Sequence, residues 1–360
     1  MTEPPFPRQH KGRGAVSNLS ARFEALQREA FDDGWTLEED EATVKLETVV
    51  GIETARTALS YNDSPDLSFD RTINTYRGCE HGCIYCYARP NHAYAGLSPG
   101  QDFESRLFVK ANAAEALERE LAAASYRPAT VVLGGVTDCY QPLERERRVT
   151  RSVLEVLARA RHPVAIVTKS ALVERDLDLL APMAAAGLAK AAISLTSLDR
   201  SLSRRMEPRA AAPHRRLQTI RRLSEAGVPV TVMTAPMIPG LNDHELEALL
   251  EAAAAAGARA AGYVLLRLPR EIEQLFQEWL AAHYPDRAKR VLSLVRQTRG
   301  GAVYDSRFGV RQRGEGPYAA LLAQRFKRAL HRCGLTAPRL ALRTDLFLRP
   351  TLHGHTLPLL

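Results

Sequence analysis

No stretch of this sequence is apolar for the roughly 18–20 residues that a membrane span requires. The nearest approach, residues 252–266, is mostly alanine and is interrupted by Arg259. An apolar leader is missing too. The start carries Pro4, Pro5, Pro7, Arg8 and Lys11, which predicts a chain without a secretory signal and a cytoplasmic location. Aromatic residues make up only 6% of the chain, and neither zinc-finger nor homeodomain spacing occurs, so no familiar nucleic-acid-binding module is legible. Cysteine is limited to five positions, three of them between residues 79 and 86. A disulfide framework would use an even set spread along a secreted chain. This distribution reads instead as one metal centre, Cys79, Cys83 and Cys86, plus two isolated thiols, Cys139 and Cys333.

What is present is ordinary for a globular protein: 360 residues, 45% hydrophobic and 25% charged. That length suits two domains, or one barrel-sized domain with extensions. The formal charge of +8 comes overwhelmingly from arginine in an Ala/Arg/Leu-rich composition, with lysine scarce. Such an excess is compatible with nucleic acid as a partner and equally with a solvated basic surface.

Residues 1–69 are weakly patterned and read as an arm or small cap. They include a basic, glycine-containing start (residues 11–15, KGRGA) and a short amphipathic helix expected over residues 19–30. From residue 70 onward, short apolar or β-branched runs alternate with helical segments, as in repeated βα units around a parallel sheet. Strands are expected at 72–76, 130–133, 164–168, 191–195, 228–234 and 262–268, with an auxiliary strand at 107–110. Helices are expected at 113–124, 144–161, 174–186, 217–226 and 245–256. About six strands are too few for a closed eight-stranded barrel, so the reading is α/β, a partial (β/α)6 barrel over residues 70–270. Residues 271–360 form a helical C-terminal extension, with helices at 272–283, 287–298 and 318–331.

The informative stretch is residues 74–90, NTYRGCEHGCIYCYARP. It spaces Cys79-x3-Cys83-x2-Cys86. Three thiolates on one loop hold three irons of a cubane cluster and leave the fourth without a protein ligand, whereas electron-transfer ferredoxins use four cysteines. An open metal position is where substrate chemistry takes place, as it is for zinc. Gly78 and Gly82 let the loop wrap tightly. Two other readings compete: a zinc site completed by His81 or His92, and structural cysteines spaced by chance.

CxxxCxYC after a first strand, opening a βα series, resembles the radical S-adenosylmethionine (SAM) superfamily, and residues 70–270 carry the likeness. CIYCYARP looks most like the branch of spore photoproduct lyase and DNA repair photolyase-like proteins. The resemblance implies a [4Fe–4S] cluster and SAM as cofactors. A radical SAM enzyme of this kind cleaves SAM reductively to a 5′-deoxyadenosyl radical, which abstracts hydrogen from a substrate that the sequence does not name. It further implies a cytosolic electron donor such as a flavodoxin or ferredoxin.

Parallel barrels assemble sites at the C-terminal ends of their strands. Candidates occur there in order: Gly134, Gly135, Thr137 and Asp138, then Lys169, then Ser194, and last residues 236–243, PMIPGLND. Small residues permit close approach to a ligand, Thr137 and Asp138 can accept from the SAM amino group, and Lys169 suits its carboxylate as a point charge. Resemblance to the photolyase-like branch assigns Tyr87, Asp138, Lys169 and Ser194 most directly to SAM, with Tyr85 beside the last cysteine. Each turn sequence taken singly has an ordinary structural explanation. Residues 204–209 with Arg215 and Arg216 read as an Arg–Glu207 pair, a carboxylate contact or a solvated face. Residues 140–144 line a substrate or begin a helix. Cys139 is a candidate hydrogen donor, although it lies on the other side of Asp138 from the donor cysteine of spore photoproduct lyase; an inert packed thiol is the alternative. A non-enzymatic iron–sulfur protein for electron transfer or nucleic-acid association is the competing function.

Overall fold

The computed structural model describes residues 10–20, 22–24, 46–338 and 340–351. Runs such as VVL and VAIVT, apolar or β-branched at every position, suit strands covered on both faces. They become β6 (Val131–Leu133) and β7 (Val164–Thr168), the next in line being β8 (Ala189–Ser194), β9 (Val230–Met237) and β10 (Ala260–Leu265). With β3 (Arg71–Ile73) these make six parallel strands, adjacent in chain order. The seventh strand of that sheet, β2 (Leu59–Tyr61), pairs antiparallel with β3 at the edge. The residues read as an arm thus supply one edge of the main sheet. They also supply β1 (Val49–Glu53), which pairs with β5 (Arg106–Lys110) in a small second sheet completed by β4 (Tyr76–Arg77). The helix expected over residues 19–30 lies mostly outside the described residues.

Helices follow each of β6 to β9, as the pattern predicts. One of them is broken: the run expected over 144–161 forms Glu144–Arg147 and Val149–Arg159, separated by Arg148 at φ 54°. The cause is Glu144. Its buried carboxylate accepts from the amides of Thr150 (2.9 Å) and Arg151 (3.3 Å), capping the second helix with a side chain from the first.

The main core lies between the sheet and its helices and is continued by the C-terminal helix Gly316–Arg332. A second core packs Ile84 and Tyr85 of the cysteine loop on Met206, Ile238 and Leu266, and on Phe276, Trp279 and Leu280 of helix Ile272–His283. Each such large side chain contributes about 1.5–3 kcal/mol on burial. The C-terminal extension therefore forms the floor of the cysteine loop. Among the described residues, no helix is long and apolar enough to cross a membrane.

Candidate metal centre

Cys79 and Cys83 are buried and Cys86 is partly buried; all three are free thiols. They lie within eight residues of one loop. Burial pushes the Cys79 thiol up, and the charges of Asp138, Cys83 and Cys86 push it further. Burial does the same to Cys83, only partly offset by the Lys169 ammonium. Thiols that oppose one another's ionisation in this way become thiolates when a metal supplies the countercharge. Among the described residues, no three or more His, Cys, Asp or Glu side chains stand close enough to hold a single metal ion. His81 and His92, considered as zinc ligands, are engaged elsewhere: His81 faces Asp138, and His92 packs edge-on against Phe103 with ring centroids 5.6 Å apart.

The loop is held from every side. Gly78 and Gly82, at φ 76° and 65°, make its tight bends. Arg89, which carries no exposed surface, uses all five donors: on the carbonyls of Cys83 (2.9 Å), Gly82 (3.1 Å), Pro99 (3.0 Å) and Gly100 (2.9 Å), and on Glu104. Glu104 accepts in turn from the amides of Gly14 (2.8 Å) and Ala15 (2.9 Å), so the KGRGA segment closes over the loop. Gln141 donates to the Gly78 carbonyl (3.2 Å) and accepts from the Glu80 amide (2.9 Å). Of the two roles considered for residues 140–144, Gln141 thus takes a third, holding the cysteine loop, while Glu144 is structural.

The strand-end residues divide into two groups. Asp138 is spent within the protein: it accepts from Thr168 Oγ1 (2.7 Å) and from the amides of Tyr140 (2.9 Å) and Lys169 (2.8 Å), and His81 Nδ1 lies 3.2 Å away. Burial alone would raise its pKa; the His81 charge and these hydrogen bonds reverse that and hold the carboxyl well below the usual carboxylate range. It ties the cysteine loop to the ends of β6 and β7, which leaves little capacity for the SAM amino group. The Thr137 hydroxyl, expected to face the same group, donates to the Tyr76 carbonyl at 2.9 Å. Cys139 belongs to the main core beside Tyr76 and Tyr140, and its thiol is pushed up by burial. That placement favours the packed-thiol alternative over a hydrogen donor.

Gly134, Gly135, Lys169, Ser194, Tyr85 and Tyr87 remain at the rim. Gly134 stands at φ 80°, and a Cβ there would meet the Val167 carbonyl at 2.1 Å, so only glycine closes this turn. The Tyr85 hydroxyl donates to Glu207, which also accepts from Thr196 Oγ1 (2.6 Å) and Arg216. Arg216 and Glu207 form a buried pair, the first of the three alternatives considered for that arginine-rich stretch, and Arg216 reaches the Ser194 carbonyl at 3.1 Å. Asn242 of the PGLND turn binds the carbonyls of Thr196 (2.8 Å) and Pro236 (3.0 Å), joining the ends of β8 and β9. Lys169 Nζ lies 5.8 Å from the centre of the Tyr85 ring, and the Arg267 guanidinium lies 5.5 Å from that of Tyr87. Tyr87, nearly half exposed, donates its hydroxyl to the Gly135 carbonyl.

A cavity of about 410 Å³ opens beside this rim. Gly78, Tyr87, Gly135, Val136 and Thr137 bound it on one side, and Asn62, Phe69 and Asn74 on another. Its size suits a small ligand.

Sequence reasoning missed Arg89, Glu104 and Arg267. No pattern marks them except the position of Arg89 in YARP, directly after the last cysteine.

A family model described as Radical SAM superfamily matches residues 73–253. An uncharacterized protein of Mycobacterium tuberculosis (strain H37Rv) is 39% identical over 233 residues, covering 64% of this chain and 68% of that one. An uncharacterized protein of Methanocaldococcus jannaschii is 27% identical over 173 residues, covering 48% and 62%. Among solved structures, spore photoproduct lyase complexed with dinucleoside spore photoproduct superposes with a TM-score of 0.52 over 79% of both chains at 15% identity. A mutant of that enzyme with bound AdoMet and dinucleoside spore photoproduct gives 0.52 over 84% and 85%. At such identities the likeness concerns the fold.

Proposed function

The chain belongs to the radical SAM superfamily, and from that premise we propose that it holds an open [4Fe–4S] cluster on Cys79, Cys83 and Cys86 and cleaves SAM reductively. It is a radical SAM enzyme. A cluster held by these cysteines would supply one-electron reduction of SAM, the chemistry from which hydrogen abstraction from a substrate follows.

The chain's own residues do the rest. The loop keeps Cys79 and Cys83 buried at low dielectric and leaves Cys86 partly exposed. Lys169, held over Tyr85, offers a cation to the SAM carboxylate, while Gly134 and Gly135 let its methionine part lie close to the backbone. Ser194, whose carbonyl is fixed by Arg216, presents its hydroxyl to the ribose side. Asp138 acts as a positioning residue that sets the Lys169 backbone and braces His81 of the loop. The cavity beyond Tyr87 and Gly135 receives the reacting part of the substrate. The electron comes from a cytosolic flavodoxin or ferredoxin.

The observation that carries this reading is the match to the family model together with three free cysteines, spaced Cys79-x3-Cys83-x2-Cys86, on one loop beside the strand-end Lys169. Anaerobic reconstitution tests it. About four irons and four sulfides per chain, and release of 5′-deoxyadenosine with a strong reductant, are expected. Cys83→Ala should abolish that release. An iron centre indifferent to SAM would overturn the reading in favour of a non-enzymatic iron–sulfur protein.

A further inference from the structure

Several arginines are matched by carboxylates, among them the buried Arg89 with Glu104 and Arg216 with Glu207. Two side-chain cations at the rim differ. Among the described residues, neither Lys169 Nζ nor the Arg267 guanidinium makes a hydrogen bond or an ion pair, and Arg267 Nε is closed off from water without a partner. Each rests on one of the two tyrosines that flank Cys86: Lys169 on Tyr85 and Arg267 on Tyr87. A buried donor left unpaired costs free energy, which a ligand acceptor recovers.

SAM brings one carboxylate, and Lys169 answers it. Arg267 is left for a second anion. Behind it lies Arg299, 2% exposed, whose guanidinium binds only the carbonyls of Leu266 (2.9 Å), Leu265 (3.5 Å) and Val310 (2.5 Å) and keeps its own Nε without a partner. Burial, with the Arg267 charge adding to it, pushes Arg299 down to about 10. Asp305 and Glu315 oppose this in part, but both are engaged by Arg307. Asp66, the acid that senses Arg267, is already taken by Arg311 and the Gly309 amide (2.6 Å). The cavity on the other side of Tyr87 points the same way: no aspartate or glutamate lines it, whereas Arg77 and Lys110 do.

We infer that the substrate carries an oxyanion, a phosphate or a carboxylate, and that this group docks on the Arg267 guanidinium at the Tyr87 edge of the cavity. The inference rests on the radical SAM reading for the identity of the reacting site, and it supplies the substrate class that reading leaves open. An arginine suits the task because its planar fork meets two oxygens at once, which an ammonium cannot do.

The test is isothermal titration of the cluster-loaded, SAM-bound protein with inorganic phosphate and, separately, with acetate. One saturable site per chain is expected, with affinity lowered at least tenfold in Arg267→Gln and to a smaller extent in Arg267→Lys. Preference for phosphate or for acetate assigns the oxyanion. Binding that is absent, or that is the same in wild type and Arg267→Gln, overturns the inference, including where Arg267→Gln merely lowers thermal stability. Iron content and SAM binding measured in parallel keep the two claims apart. A wild type that takes up no iron on reconstitution yet still binds phosphate through Arg267 retains the anion site and sinks the functional reading alone.

Discussion

Replacing Glu104 by glutamine should destabilise the protein by about 3–5 kcal/mol, the range for breaking a buried ion pair from one side. Neither Glu104 nor Arg89 exposes any side-chain surface. Glutamine keeps the shape but removes the charge and turns one acceptor into a donor. It then confronts Arg89 and the amides of Gly14 and Ala15 with too few acceptors. Because Arg89 also binds the carbonyls of Gly82 and Cys83, the damage should reach the cysteine loop. Urea unfolding of the iron-free chain reads the stability, and iron retained after reconstitution reads the loop. The Arg332–Glu251 pair, 59% and 56% exposed, is the control: Glu251→Gln should cost at most about 1 kcal/mol. Gly14→Ala attacks the same clamp from the other end, since its Cβ would meet the Gly82 carbonyl at 1.9 Å. Both changes break the same contacts, so the double variant should lose less than the sum of the singles. Full additivity, or a Glu104→Gln cost no greater than the surface control, would refute the clamp.

Two further outcomes follow from the titrating groups. Asp138 keeps its charge in the fold to lower pH than the value near 3.8 of an ordinary aspartate, so its contribution is fully present above that pH and is lost as pH falls below it. Asp138→Asn should lower stability at pH 7 by about 1–3 kcal/mol, flatten the acid limb of the stability curve and reduce iron uptake; an unchanged acid limb would count against the assigned contacts. Burial, opposed in part by Asp102, pushes His92 down from 6.5 to about 4, so it is neutral in the fold and the unfolded chain binds the extra proton. The stability it permits is complete above pH 6.5 and falls as pH drops towards 4, by about 2 kcal/mol down to pH 5. His92→Leu should remove that increment from the difference between unfolding free energies at pH 7 and pH 5. An identical difference in the two proteins would show that His92 is solvated.

The strands were legible because β-branched runs buried on both faces have a strong local signature, and the six expected runs all fall on parallel strands of one sheet. The break at Arg148 was not legible, because it depends on a carboxylate four residues upstream folding over the next helix. The cysteine trio was legible from spacing alone. The assignment of polar side chains at the strand ends was not, since spacing places a residue at the rim without saying whether its oxygens are already used. Thr137 and Asp138 follow Gly135 closely in sequence, yet the Thr137 hydroxyl donates to the Tyr76 carbonyl and the Asp138 oxygens accept from Thr168, Lys169 and Tyr140. Nor does any local pattern reveal that residues 13–15 reach Glu104, because that contact depends on a chain reversal far from both.

The charges around the loop serve two separate ends, and their pairing tells which. Glu104–Arg89 and Glu207–Arg216 are buried, and each arginine also grips backbone carbonyls, Gly82 and Cys83 in one case and Ala211 and Ser194 in the other. Arg89 spends all five donors on its own protein and has none to offer a ligand, so it acts by position. Lys169 and Arg267 invert this logic. Each rests on an aromatic ring, which constrains the cation without consuming its donors, and the two rings belong to the tyrosines on either side of the partly exposed Cys86 in sequence. Stacking on an aromatic face leaves the in-plane N–H groups free, whereas a salt bridge would occupy them. On the reading proposed above, Lys169 answers the SAM carboxylate and Arg267 the oxyanion of the substrate, each with donors that no protein group takes.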